Sequence, residues 1–87
     1  MATNGLPIPV ARALQSLGEN LGLARRRRRI ATRSMAERLR VSTATLRRLE
    51  RGDPSVAIGT LVAALHVLGA LKDFEHLLDA SKDELGP

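Results

Sequence analysis

Apolar residues recur along this chain at intervals of three and four, and that spacing limits it to helices packed on helices. They fall at Val10, Leu14, Leu17, Leu21 and Ala24, then at Met35, Ala36 and Leu39, then at Leu46 and Leu49. The pattern continues through Ile58, Leu61, Leu65 and Leu68 and ends with Leu71, Phe74, Leu77 and Leu78. Each set makes one stripe on a helix of 3.6 residues per turn. No stretch reads as a strand, so the expected architecture is all-α, with five helices.

Punctuation divides the helices. Ser16 and Glu19 have the spacing of a capping box, and Gly18 and Gly22 weaken a continuous helix, so the first stripe is either one helix or two. Val41 inserts between the second and third stripes, and the Ser42 hydroxyl is placed to cap the third helix. Gly52 ends that helix, "DPS" is turn chemistry, and Gly69 stops the fourth. This gives a loose arm over 1–9, a helical domain over 10–79 and a polar tail over 80–87.

With 87 residues the chain allows one domain with a small core, a size at which dimerisation adds useful stability. It has no Cys, hence no disulfide or thiolate metal site, and no run of about 18 apolar residues that would span a membrane. No export signal precedes the first helix, which makes the cytoplasm the expected compartment. His66 and His76 lie on different expected helices without further ligands, so no metal is expected. No nucleophile motif, phosphate-binding Gly loop or paired-carboxylate pattern occurs, so neither an enzyme nor a cofactor is expected.

Charge supplies the functional direction. The net charge is +5, and Lys72 and Lys82 are the only lysines among fourteen basic residues, leaving twelve arginines. All twelve lie between Arg12 and Arg51, against Glu19, Glu37 and Glu50. Beyond Asp53 the balance reverses through Asp73, Glu75, Asp79, Asp83 and Glu84. One end is suited to a polyanion and the other is not. Arginine also suits bidentate phosphate and guanine contacts. In "RRRRRI", residues 25–30, five successive arginines would point all round a helix, so at least one must face the protein and needs an acid. The others either face solvent or contact phosphate.

The segment "SMAERLRVSTATLRRLERGDPS", preceded by "LGLARRRRRI" and followed by "TLVAALHVLG", resembles the lambda-repressor-like, Cro/C1-type helix-turn-helix family over Leu17 to Gly69. The match rests on apolar Ile30, Met35, Leu39, Val41, Leu46 and Leu49, on small Ala36 where two helices cross, and on Glu50-Arg51-Gly52 closing the third helix. The resemblance implies a sequence-specific DNA-binding repressor that acts as a homodimer on double-stranded operator DNA. It implies that Thr43, Ala44 and Arg48 face base edges, with Arg47 near phosphate or base, although Thr43 and Ala44 read equally as plain helix-start residues. Arg48 would pair bidentately with guanine, and Thr43 or Ala44 would pack on a thymine methyl. It assigns phosphate contacts to Thr32, Arg33, Ser42, Thr45 and Arg51, and a structural ion pair to Arg25 and Glu50.

Two positions depart from the family. Members usually carry Gly where Arg40 stands, and left-handed backbone there would cost an arginine roughly 1 kcal/mol, so a turn of another shape is expected. Members often carry Gln where this chain has Thr32, whose hydroxyl donates over a shorter reach. More narrowly, "LGENLGLARRRRR", "LRRLERGDPSVAIGTLVAALHVLG" and "DELG" resemble HipB-like antitoxins, which accompany HipA-type kinase toxins. That likeness implies a kinase-like protein partner. Leu71, Phe74, Leu77 and Leu78 are then either core or a dimer or toxin interface, with Phe74, the only aromatic, as its anchor. Two rival readings are a solitary phage-type repressor and a basic interaction module with only nonspecific DNA affinity.

Overall fold

The computed structural model describes residues 5–81, 83 and 85. It holds five helices, α1 (Ile8–Arg27), α2 (Thr32–Leu39), α3 (Thr43–Glu50), α4 (Ile58–Val67) and α5 (Leu71–Glu75), and no strand among the described residues.

α1 is one helix. It begins at Ile8, inside the stretch expected to be a loose arm, because Pro7 and Pro9 fit a first turn whose amides need no partner. The Pro7 carbonyl accepts from the amides of Val10 and Ala11, both at 3.0 Å. Residues 1–4 of the expected arm lie outside the described residues. Ser16 starts no second helix, since Gly18 and Gly22 serve packing and not termination. Both are buried where α1 crosses the end of α3. A Cβ on Gly18 would stand 2.7 Å from the Glu50 carbonyl oxygen and 2.7 Å from the Gly52 amide nitrogen. One on Gly22 would press on the Glu50 carboxylate at 3.2 Å.

The first four helices end alike. In each, a residue with left-handed backbone follows the helix, and the next amide reaches back five residues: Ile30 to Arg25 at 3.1 Å, Val41 to Ala36 at 3.0 Å, Asp53 to Arg48 at 3.0 Å, Ala70 to Leu65 at 2.8 Å. This is the Schellman closure, which satisfies carbonyls the helix leaves unpaired. Glycine provides the left-handed residue at Gly52 and Gly69, but arginine does at Arg29 and Arg40, with φ of 55° and 57°. The expectation of a different turn at Arg40 is therefore corrected. The Arg40 and Val41 amides close on Glu37 and Ala36, and Val41 packs on the core, which together outweigh the local strain.

Leu21, Met35, Ala36, Leu39, Leu46, Leu49, Ala64 and Leu68 form the core, with Met35 and Leu46 wholly enclosed. Ile58, expected to share the inward stripe of α4, is 70% exposed. It stands with Leu14, Leu17, Val56 and Leu61 along an apolar surface groove, and Ala64 takes the buried place on α4. α5 is shorter than its stripe, covering Leu71 and Phe74 but not Leu77 or Leu78. A five-residue helix cannot carry a four-point stripe. Leu78 has φ 61° and is 84% exposed. Of the expected polar tail, Ala80, Ser81 and Leu85 are exposed, and residues 82, 84, 86 and 87 lie outside the described residues. No helix of the described residues is long and apolar enough to cross a membrane.

Candidate functional site

The candidate site is built on α2, the three-residue turn Arg40-Val41-Ser42, and α3. Met35, Ala36 and Leu39 bury one side of α2, and Leu46 and Leu49 bury one side of α3, so each short helix is fixed by its apolar face. Eight residues would not hold a helix in water, so packing and capping supply what length does not.

Ser42 provides the cap. Its backbone is extended, its Oγ accepts from the Thr45 amide at 3.0 Å, and its hydroxyl donates to Thr45 Oγ1 at 3.1 Å. Both of these Ser42 contacts are thus internal to the cap. Ala44 and Arg47 on α3 and Arg51 at its C-cap are exposed, with Thr43, Thr45 and Arg48 partly so. They occupy the face of α3 that Leu46 and Leu49 leave to solvent. Thr32 is the first residue of α2, where no side chain caps the helix, and Arg33 beside it is almost fully exposed. The 3.7 Å approach of Arg33 to exposed Glu37 is too solvated to restrain it.

Arg25 and Glu50 meet across α1 and α3. Arg25 Nε donates to Glu50 Oε2 at 2.8 Å and Nη2 to Oε1 at 3.2 Å, while Nη1 donates to the Ile30 carbonyl at 2.9 Å. The side chains are 9% and 14% exposed, so the two-pronged pair sits in a largely dry seam. Arg28 has a further role that sequence reasoning missed. Its Nη2 donates to the Leu68 carbonyl at 3.1 Å, tying the end of α1 to the end of α4. Only the tertiary approach of Leu68 could have disclosed this. Arg26, Arg27 and Arg29 are exposed.

Arg48 is held in a small network that sequence reasoning also missed. Its Nε donates to Asp53 Oδ2 at 3.0 Å and its Nη2 to Ser55 Oγ at 2.7 Å. The Ser55 hydroxyl and amide both donate to Asp53 Oδ1, at 2.7 and 2.8 Å. Those two Ser55 bonds, followed by Arg48, lower the Asp53 carboxyl from 3.8 to about 2. The turn at Gly52 brings Asp53 back beside Arg48, and an acid one residue past a helix-ending glycine was the available signal.

At the acidic end, Leu71 and Phe74 are half-buried, while Leu77 and Leu78 face solvent. The structure therefore divides this set instead of bringing it into one patch. His76 Nδ1 lies 2.9 Å from Asp79 Oδ2, and His66 is exposed on α4. Among the described residues no group of three or more His, Cys, Asp or Glu could hold a metal ion.

A family model described as a helix-turn-helix domain matches residues 16–79. Comparison with curated proteins and with solved structures gives no match.

Proposed function

Because the chain belongs to the helix-turn-helix domain family, we propose that it is a sequence-specific DNA-binding transcriptional repressor that inserts α3 into the major groove. The observation that carries this reading is the outer face of α3. Its Ala44 and Arg47, with Arg51 at its C-cap, stand exposed on a helix whose opposite side is buried through Leu46 and Leu49. In this reading Thr43, Ala44, Arg47 and Arg48 meet base edges. Thr32, Arg33, Thr45 and Arg51 meet phosphates, and Ser42 contributes by shaping the turn as well as by any contact of its own. The unit runs over 10–79, and a homodimer presents two α3 helices to major grooves about 34 Å apart.

Selection from a randomised duplex pool, followed by footprinting on the gene's own upstream DNA, tests the reading. Arg48→Ala should cost about 1–3 kcal/mol on the selected site and relax one position, whereas Arg27→Ala should weaken all sequences alike. Equal losses for Arg48→Ala on selected and random duplexes would remove its base-reading role.

A partner protein at the acidic end is the second part of the proposal. The likeness to HipB-like antitoxins supports a kinase-like toxin that binds while the repressor occupies its own operon. The solvent-facing Leu77 and Leu78 support a contact there. Co-purification with a kinase-like protein encoded beside this gene supports the antitoxin reading. A chain that represses alone, with no such neighbour, is a solitary repressor.

A further inference from the structure

Among the four proposed base readers, Arg48 is distinguished by a guanidinium that already has fixed partners. The closing turn of α3 places them: the Asp53 amide bonds back to the Arg48 carbonyl at 3.0 Å, which sets the Asp53 carboxylate beside the Arg48 side chain. Asp53 is in turn held by both the amide and the hydroxyl of Ser55. The Ser55 proton goes to Asp53, so the Ser55 oxygen is free to accept from Arg48 Nη2. The three side chains close a ring of hydrogen bonds.

The ring leaves part of Arg48 unused. A guanidinium has five N–H groups in one plane, and a guanine edge needs two parallel ones, for O6 and N7. Asp53 engages Nε and Ser55 engages Nη2, whereas Nη1 bonds to nothing among the described residues. Nη1 and the second hydrogen of Nη2 form the outer fork of the group. A flexible arginine loses its rotamer freedom when it binds, but one held by its inner edge has lost that freedom on folding. The side chain is still 42% exposed and open to a ligand.

We infer that Asp53 and Ser55 are positioning residues that set base specificity through Arg48, holding its inner edge so that its outer fork reads one guanine. The inference rests on the proposed DNA-binding function and deepens it. The competing role for Asp53 is a lock that withholds Arg48 from DNA.

Duplexes selected by the wild-type chain from a randomised pool provide the probe. Asp53→Ala and Ser55→Ala should each reduce discrimination at a single base pair, the same one that Arg48→Ala relaxes. The loss should be about 5- to 30-fold for Asp53→Ala and smaller for Ser55→Ala. Affinity for random duplex at the same salt should hold or, for Asp53→Ala, rise with the lost negative charge. In an Arg48→Ala background, Asp53→Ala should leave preference at that pair unchanged, an outcome that a merely structural role would not produce. Ser55→Ala keeps the bond from the Ser55 amide to Asp53 and carries the test should Asp53→Ala not fold. Tighter binding of the selected site with preference intact would make Asp53 a lock and overturn the inference. Equal losses on selected and random duplexes would overturn it as well. A wild-type chain that selects no sequence ends the DNA reading and the inference together, whereas selection that both variants leave unchanged ends the positioning role alone.

Discussion

Arg29 and Arg40 hold left-handed backbone with exposed side chains, at sites where their counterparts after α3 and α4 are glycines. An L-residue carries a steric cost there that glycine avoids, partly offset by glycine's greater freedom when unfolded. Arg40→Gly should raise stability by about 0.5–1 kcal/mol, read as a higher Tm in thermal melts followed by circular dichroism. A fall in Tm would mean that the arginine side chain makes a contribution larger than the strain. At the Arg25–Glu50 seam the sign is opposite. Glu50→Ala should cost about 3–5 kcal/mol, because a guanidinium in a dry site loses its counter-charge. An unchanged denaturant midpoint would show that water reaches the pair. Asp53 gives a pH signature. Its folded pKa of about 2 lies below the ordinary 3.8, so whatever its ring contributes is present above pH 3.8 and is lost as pH falls toward 2. Carboxyl NMR should follow a midpoint near 2, and Ser55→Ala and Arg48→Ala should each raise it, since each removes a side-chain bond to the carboxylate. A wild-type midpoint at 3.8 would mean that the ring is open in solution.

Glycines that look alike in the sequence differ once the helices are assembled. Gly18 lies in α1 against the α3 terminus, where a methyl group would stand 2.7 Å from backbone that cannot yield. Gly59 lies in α4 with nothing within 4 Å of the same methyl position. Alanine favours a helix over glycine by up to about 1 kcal/mol, so Gly59→Ala should stabilise by about 0.5–1 kcal/mol. Gly18→Ala should destabilise by about 1–3 kcal/mol, because overpacking outweighs the same propensity gain. Chemical denaturation of the two variants side by side checks both signs, and two stabilised variants would mean that α1 can move off α3 at little cost.

Along the chain, charge separates a basic segment from an acidic one. The arginines lie before Asp53, and the acids that follow accompany the exposed Leu77 and Leu78. DNA repels acids, so the second end is suited to a protein. Phe74 is half-buried, and its truncation would mix lost packing with lost binding. Leu78→Asp is the cleaner probe, since a side chain 84% exposed contributes little to the core. It should reduce self-association in sedimentation, or capture of a kinase-like partner, while melting and DNA binding stay as in the wild type. Full retention of both associations would remove this end from the proposed interface.

Helix class, the order of five helices and most of the core were legible in the sequence, because an apolar stripe at 3.6-residue spacing has to be buried and Met35, Leu39, Leu46 and Leu49 leave no other way to do it. The charge split was legible because it depends on composition along the chain and not on contacts. The tertiary structure alone decided that Gly18 packs rather than breaks, that Ile58 stays outside, and that Arg28 reaches Leu68. It also decided that Arg48 is held by Asp53 and Ser55. Each of these depends on which atoms another segment brings within a few ångströms, and local spacing carries no record of that. Arg40 shows the limit most clearly. Its local preference argued against left-handed backbone, and two amide bonds together with the packing of Val41 on the core prevailed.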